Sequence, residues 1–160
     1  MIRKKLKTIL MLFLLSISLL IGCSGDLGPN QNITAEQQTQ DDVLLDEDGS
    51  YTSKEEVAAY LYQYGRLPSN YITKKEAKKL GWVNTKGNLG EVAPGKCIGG
   101  DYFGNYEGML PEDDDRDYYE CDVNTDGSYR GEERIVYSND GLIYYTPDHY
   151  DSFELLYGEE

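Results

Sequence analysis

Residues 132–146 read "EERIVYSNDGLIYYT". β-Branched and aromatic residues fill both arms, and "SNDG" between them is a strong turn signal. The stretch therefore reads as an antiparallel hairpin. A period of two places Ile135 and Tyr137 on one face and Arg134 and Val136 on the other. "KCIGGDYF" (96–103) and "DYYECDV" (117–123) are similar short strands, broken by Gly, Asp and Asn. In the second, Glu120 alternates with Cys121. If Ile135 faces a core, Arg134 and Glu120 lie on the opposite, open face.

Upstream of Pro94 the pattern changes to a helical one. "SKEE" sets Ser53 before Glu56, and "TKKE" sets Thr73 before Glu76. In each, the hydroxyl can accept from the third backbone N–H while the glutamate reaches back, a capping box. The first helix carries Val57, Ala58, Leu61 and Tyr64 at helical spacing and stops before "GRLP". The second carries Ala77 and Leu80 and stops at Gly81. "NLGEV" adds a short third. Helices first and strands after predict an α+β fold: two to three N-terminal helices packed on one face of a four- to five-stranded antiparallel sheet.

The domain is expected over 51–160, about one modest core in size. Residues 1–22 hold Arg3, Lys4, Lys5 and Lys7 before an apolar run from Ile9 to Ile21. This reads as a signal peptide, too short and too one-sidedly flanked for a membrane span. It ends in "LIGC", similar to the lipobox of bacterial lipoproteins, which implies a diacylglyceryl group on Cys23. Residues 23–50, with no Lys or Arg, read as a polar linker. The chain is then exported, extracellular or lipid-anchored to the outer face of the bacterial membrane, and touches the membrane only through that lipid.

The formal charge is −14, and −18 once residues 1–22 are removed. On charge alone, nucleic acid is a poor partner. One histidine, His149, and no Cys-x-x-Cys spacing exclude a nitrogen or sulfur metal centre. No metal or cofactor is expected, and "EDDD" (112–115) reads as a solvated loop. What remains is Glu120, Arg130, Arg134 and His149 on or beside the open face. Such a set suits phosphate chemistry: one group removes a proton, one donates one, and guanidiniums stabilise charge on phosphoryl oxygens. A surface ion-pair network accounts for the same spacing.

"YLYQYGRLPSNYITKKEAKKLGWV" (60–83), "KGNLGEVAPGKCIGGDYF" (86–103), "ERIVYSNDGLIYYT" (133–146) and "DHYDSF" (148–153) resemble the barnase family of secreted bacterial guanyl-preferring ribonucleases. The resemblance runs from about Val57 to Phe153. It implies metal-independent cleavage of single-stranded RNA by transesterification, through a 2′,3′-cyclic phosphate, after guanosine. It makes Glu120 the general base, His149 the general acid, and Lys74, Arg130 and Arg134 the phosphate-binding cations. It places the base at "FGNYEG": Glu107 accepts from the base, backbone N–H groups around Asn105 donate to it, and Phe103 and Tyr150 offer ring faces. Asp101 joins these as a substrate-binding residue.

The resemblance has departures. Tyr106 stands where the family has an arginine that supports the base loop and grips the inhibitor barstar, Gly104 replaces a serine, and "EDDD" replaces a basic loop. Binding of a barstar-like inhibitor is therefore expected to be weak. The family places Cys97 and Cys121 on neighbouring strands, which implies a Cys97–Cys121 disulfide. A monomeric, active ribonuclease is the preferred reading. The alternatives are a catalytically weakened relative, serving as a nucleotide-binding or adhesive surface lipoprotein, and a purely structural lipoprotein.

Overall fold

The computed structural model describes residues 44–159. The signal peptide, Cys23 and most of the linker lie outside the described residues. In chain order the elements are α1 (Lys54–Tyr64), β1 (Tyr71–Ile72), α2 (Lys74–Lys79), a 3₁₀ turn (Asn84–Lys86), α3 (Leu89–Val92), β2 (Cys97–Phe103), β3 (Tyr118–Asp122), β4 (Arg134–Ser138), β5 (Ile143–Thr146) and β6 (Glu154–Tyr157). The architecture is α+β, as expected. The sheet is larger than expected, with six strands in the order β1-β2-β3-β4-β5-β6. The two additions are its edges. β1 has only two residues and pairs parallel with β2, and β6 pairs antiparallel with β5. β1 is too short to show a period, and "ELLY" in β6 does not alternate.

The local signals behave as their chemistry requires. Thr73 and Glu76 form the complete capping box. At α1 only half of the expected box forms: Ser53 Oγ accepts from the Glu56 N–H, while Glu56 Oε2 accepts from the Ser53 hydroxyl at 2.7 Å and not from its backbone N–H. Gly65 ends α1 in the left-handed region at φ 63°. The β4–β5 hairpin closes at Asn139–Asp140, with Ser138 N–H donating to Leu142 O at 2.8 Å.

Val57, Ala58 and Leu61 of α1 pack on Cys121, Val123, Ile135 and Ile143 in one cluster. Ala77, Trp82, Leu89, Ala93 and Ile98 form a second around α2 and α3. Cys121 faces Ile135 across the β3–β4 ladder, whereas Glu120 faces Val136 and Asp122 faces Arg134. Opposed residues share a face, so Glu120, Asp122 and Arg134 all point away from α1.

Packing also begins earlier than residue 51. Tyr60 Oη donates to Glu47 O at 2.8 Å and Tyr64 Oη to Leu45 O at 2.5 Å. Arg66 pairs with Glu47 at 2.8 Å. Residues 45–47 are thus held along α1.

The expected disulfide is not formed, since Cys97 and Cys121 are both free and buried. The reason is register. Cys121 stands opposite Gly99, not Cys97, and a Cβ on Gly99 would lie 2.5 Å from the Cys121 Cβ. Diagonal positions across an antiparallel pair are roughly 7–8 Å apart, beyond the usual Cα separation of a disulfide, about 4.4–6.8 Å. Cys97 Sγ lies instead 3.9 Å from Asn70 Nδ2. Both thiols should therefore react with a thiol reagent once the protein is unfolded without reductant. Failure of Cys97 and Cys121 to react would restore the disulfide.

Candidate active site

The register shift falls between Gly99 and Asp101. Gly100 sits in it at φ 87°, a conformation that a side chain would strain. Past this bulge, Asp101 comes opposite Glu120 and Phe103 opposite Tyr118. The bulge thereby brings Asp101 and Phe103 onto the open face beside Glu120.

Glu120 is the hub, and at 4% exposure it is buried. Lys74 Nζ and the Tyr150 hydroxyl both hydrogen-bond its carboxylate. Arg130 Nη2 is 3.8 Å from Oε1. Burial alone would raise the Glu120 carboxyl. The bonds from Lys74 and Tyr150 and the charges of Lys74 and Arg130 outweigh it and hold the carboxyl below its ordinary value. Glu120 is thus ionised at neutral pH. It contributes stability above its unfolded-state value, and that contribution is lost as pH falls through the depressed folded-state value. Lys74→Ala should raise the Glu120 carboxyl's titration, followed by carboxyl NMR, because a main donor to the charged form is gone. An unmoved titration would show that Lys74 does not tune Glu120.

Lys74 owes its position to Asp101, whose Oδ2 accepts from the Lys74 backbone N–H at 2.8 Å. Asp101 is expected at the substrate, but this carboxylate oxygen is already committed to the start of α2. Asp101 acts here as a positioning residue.

Asp122 is the residue that sequence reasoning missed. It is 2% exposed. Arg130 grips it bidentately, Nε to Oδ2 at 2.8 Å and Nη2 to Oδ1 at 2.6 Å. Arg134 Nε lies 3.0 Å from the same Oδ1, without the alignment of a hydrogen bond. Arg134 Nη1 donates to Glu133 O at 2.7 Å. One buried carboxylate thus sets both guanidiniums. The signal was present: Asp122 lies two residues beyond Glu120, on the same face.

His149 and Tyr150 lie in a loop just after β5, and both have positive φ, 54° and 79°. Such a backbone costs of order 1–3 kcal/mol per residue and persists only where the surroundings enforce it. Asp148 supplies the enforcement, accepting from the Thr146 hydroxyl and the Ser152 N–H, both at 2.9 Å, and from the Ser152 hydroxyl. Tyr150 N–H donates to Thr146 Oγ1 at 2.9 Å, and His149 N–H to Glu132 O at 3.1 Å. His149 is exposed. With Arg130, Arg134, Tyr129, Asn84 and Glu132 it lines an open cavity of about 460 Å³.

At the other end, the Phe103 and Tyr150 rings are 5.1 Å apart. The loop beyond Phe103 turns on Asn105, at φ 43°. Its side chain donates to Leu110 O at 2.9 Å and accepts from Leu110 N–H at 3.1 Å. The Asn105 amide therefore shapes the loop, leaving backbone groups to meet a ligand. Glu107 is exposed and has no bonded partner among the described residues. The structure gathers Lys74, Arg130 and Tyr150 around Glu120, joins Arg134 to them through Asp122, and leaves Glu107 apart on the loop.

A sequence profile of the family described as ribonuclease matches residues 54–157. A ribonuclease of Heyndrickxia coagulans is 58% identical over 97 residues, 61% of this chain and 89% of that protein. A ribonuclease of Bacillus intermedius is also 58% identical over 97 residues, 61% of this chain and 60% of the relative. Guanyl-specific ribonuclease St of Saccharopolyspora erythraea is 44% identical over 57 residues, 35% of this chain and 56% of that one. A solved structure of ribonuclease Sa2 with guanosine-2′-cyclophosphate is 24% identical with a TM-score of 0.30, covering 52% of this chain and 86% of that one.

Proposed function

The chain belongs to the ribonuclease family, and we propose that within it this protein is a metal-independent endoribonuclease that cleaves single-stranded RNA on the 3′ side of guanosine. The observation that carries this is Glu120: a buried carboxylate, ionised by its neighbours, sharing Arg130 with a cavity lined by His149. Glu120 takes the proton of the ribose 2′-hydroxyl, whose oxygen attacks the adjacent phosphorus. The bond from phosphorus to the 5′-oxygen breaks, and His149 gives that oxygen its proton. A 2′,3′-cyclic phosphate forms and is later hydrolysed. Lys74, Arg130 and Arg134 hold the charge that grows on the phosphoryl oxygens. The guanine edge meets Glu107 and the backbone around Asn105, with Phe103 and Tyr150 as ring faces. The guanyl-specific relative supports the base preference. Lipid attachment at Cys23 and export belong to the same proposal, as does weak binding of a barstar-like inhibitor.

The test is incubation of the purified protein with RNA in EDTA. Fragments ending in guanosine 2′,3′-cyclic phosphate are expected. Intact RNA would point to a surface module that no longer cleaves, and cleavage without base preference would remove the role of Glu107.

Charge adds a second expectation. Residues 49–160 carry a formal −11, which repels RNA at long range. The Debye length shortens from about 30 Å at 0.01 M salt to about 8 Å at 0.15 M. Salt should weaken the distant repulsion before it weakens the contacts of Lys74, Arg130 and Arg134. On long RNA, kcat/KM should stay flat or rise through low salt and fall later, while a dinucleotide shows little rise. A steep monotonic fall from the lowest salt would mean that the local cations govern encounter.

A further inference from the structure

The loop that follows Phe103 carries two coupled features. The ring of Tyr106 occupies the space that a side chain on residue 104 would fill: a Cβ on Gly104 would lie 2.4 Å from Cε2 and Cζ of that ring. Tyr106 as a residue is nevertheless 91% exposed. It rests on the Gly104 backbone and leaves most of its surface to solvent. Beneath it the loop is braced by the Asn105–Leu110 bonds and by Gly108 N–H donating to Asn105 O at 2.9 Å.

The open face orders the groups along β3. Asp122 with Arg130 and Arg134 lies at one end, then Glu120 opposite Asp101, then Tyr118 opposite Phe103, and beyond Phe103 the loop of Tyr106. Steps of two residues along a strand are roughly 6.6–6.8 Å. Suppose a nucleoside rests by Phe103 with its 3′-phosphate at Glu120. Its leaving neighbour then lies past the phosphate, toward the cavity of His149 and Tyr129. Its 5′ neighbour continues the other way, over the loop.

We infer that Tyr106 is a stacking platform for the nucleobase on the 5′ side of the cleaved guanosine, and that Gly104 is the residue that lets the ring lie there. The inference rests on the ribonuclease reading and extends its substrate by one nucleotide. An aromatic platform suits this acidic domain, because stacking needs no positive charge and tolerates any base.

The experiment compares kcat/KM for GpC, for ApGpC, and for the same trinucleotide with an abasic ribose in place of adenosine. For the native protein, ApGpC should exceed the abasic trinucleotide roughly tenfold, within the range that base–aromatic stacking supplies. Tyr106→Ala should bring that ratio close to one, and Tyr106→Phe should keep it. Gly104→Ala should also lower it, since the phenol remains but its seat is taken. Equal rates on ApGpC and the abasic trinucleotide in the native protein, with GpC still cleaved, would overturn the platform alone. A native-like ratio in Tyr106→Ala would do the same. No cleavage of GpC would overturn the ribonuclease reading itself.

Discussion

Replacing His149 by alanine is expected to lower kcat on RNA by about 10²–10⁴-fold, the usual contribution of a positioned general acid. The fold should survive, because the imidazole is exposed and meets only the neighbouring Tyr150 ring among the described residues, while the backbone N–H that ties the loop to Glu132 O is kept. A folded variant with near-normal turnover would remove the role. Loss of Glu120 should cost a similar factor, but its structural consequence differs. A sequence reading leaves both residues outside the core, whereas Glu120 is buried and binds Lys74 and Tyr150. Glu120→Ala strands those donors, so Glu120→Gln is the cleaner probe of the base: it preserves volume and an acceptor oxygen while removing the charge.

The second large effect belongs to Asp122. Asp122→Ala leaves Arg130 and Arg134 side by side with their shared carboxylate gone. Breaking a buried pair by removing one partner typically costs 3–5 kcal/mol, and a loss of about that size is expected here. It should appear as a lower urea midpoint with little change in slope. Activity should fall as well, because both guanidiniums lose the group that aims them. An unfolding free energy, midpoint times slope, within about 0.5 kcal/mol of the native protein, the range typical of ordinary surface substitutions, would show that the arginines find other support.

Much of this molecule was legible in its sequence wherever a few neighbouring residues decide the outcome. The caps at Ser53 and Thr73, the stop at Gly65 and the "SNDG" hairpin are set by groups within four residues of one another. A period of two was enough to put Glu120 and Arg134 on the face away from Ile135. Lys74 and Glu107, by contrast, entered only through family resemblance, as did the assignment of His149 as the acid, since no spacing rule links residues so far apart in the chain.

Tertiary structure alone decided the rest, because it depends on which strand meets which and in what register. The close approach of Gly99 to Cys121 fixes the β2–β3 alignment. That alignment leaves Cys97 without its expected disulfide partner, and the bulge at Gly100 carries Asp101 and Phe103 to the open face. β1 exists only because β2 lies beside it, and residues 45–47 are held by side chains far along the chain, among them the Tyr60 and Tyr64 hydroxyls, Gln63 and Arg66. The strained backbone of His149 and Tyr150 follows from the bonds Asp148 makes across its own loop. Asp122 shows the boundary between the two: its face followed from alternation, but that it holds two arginines at once required strand β4 and the 123–133 loop to be in place.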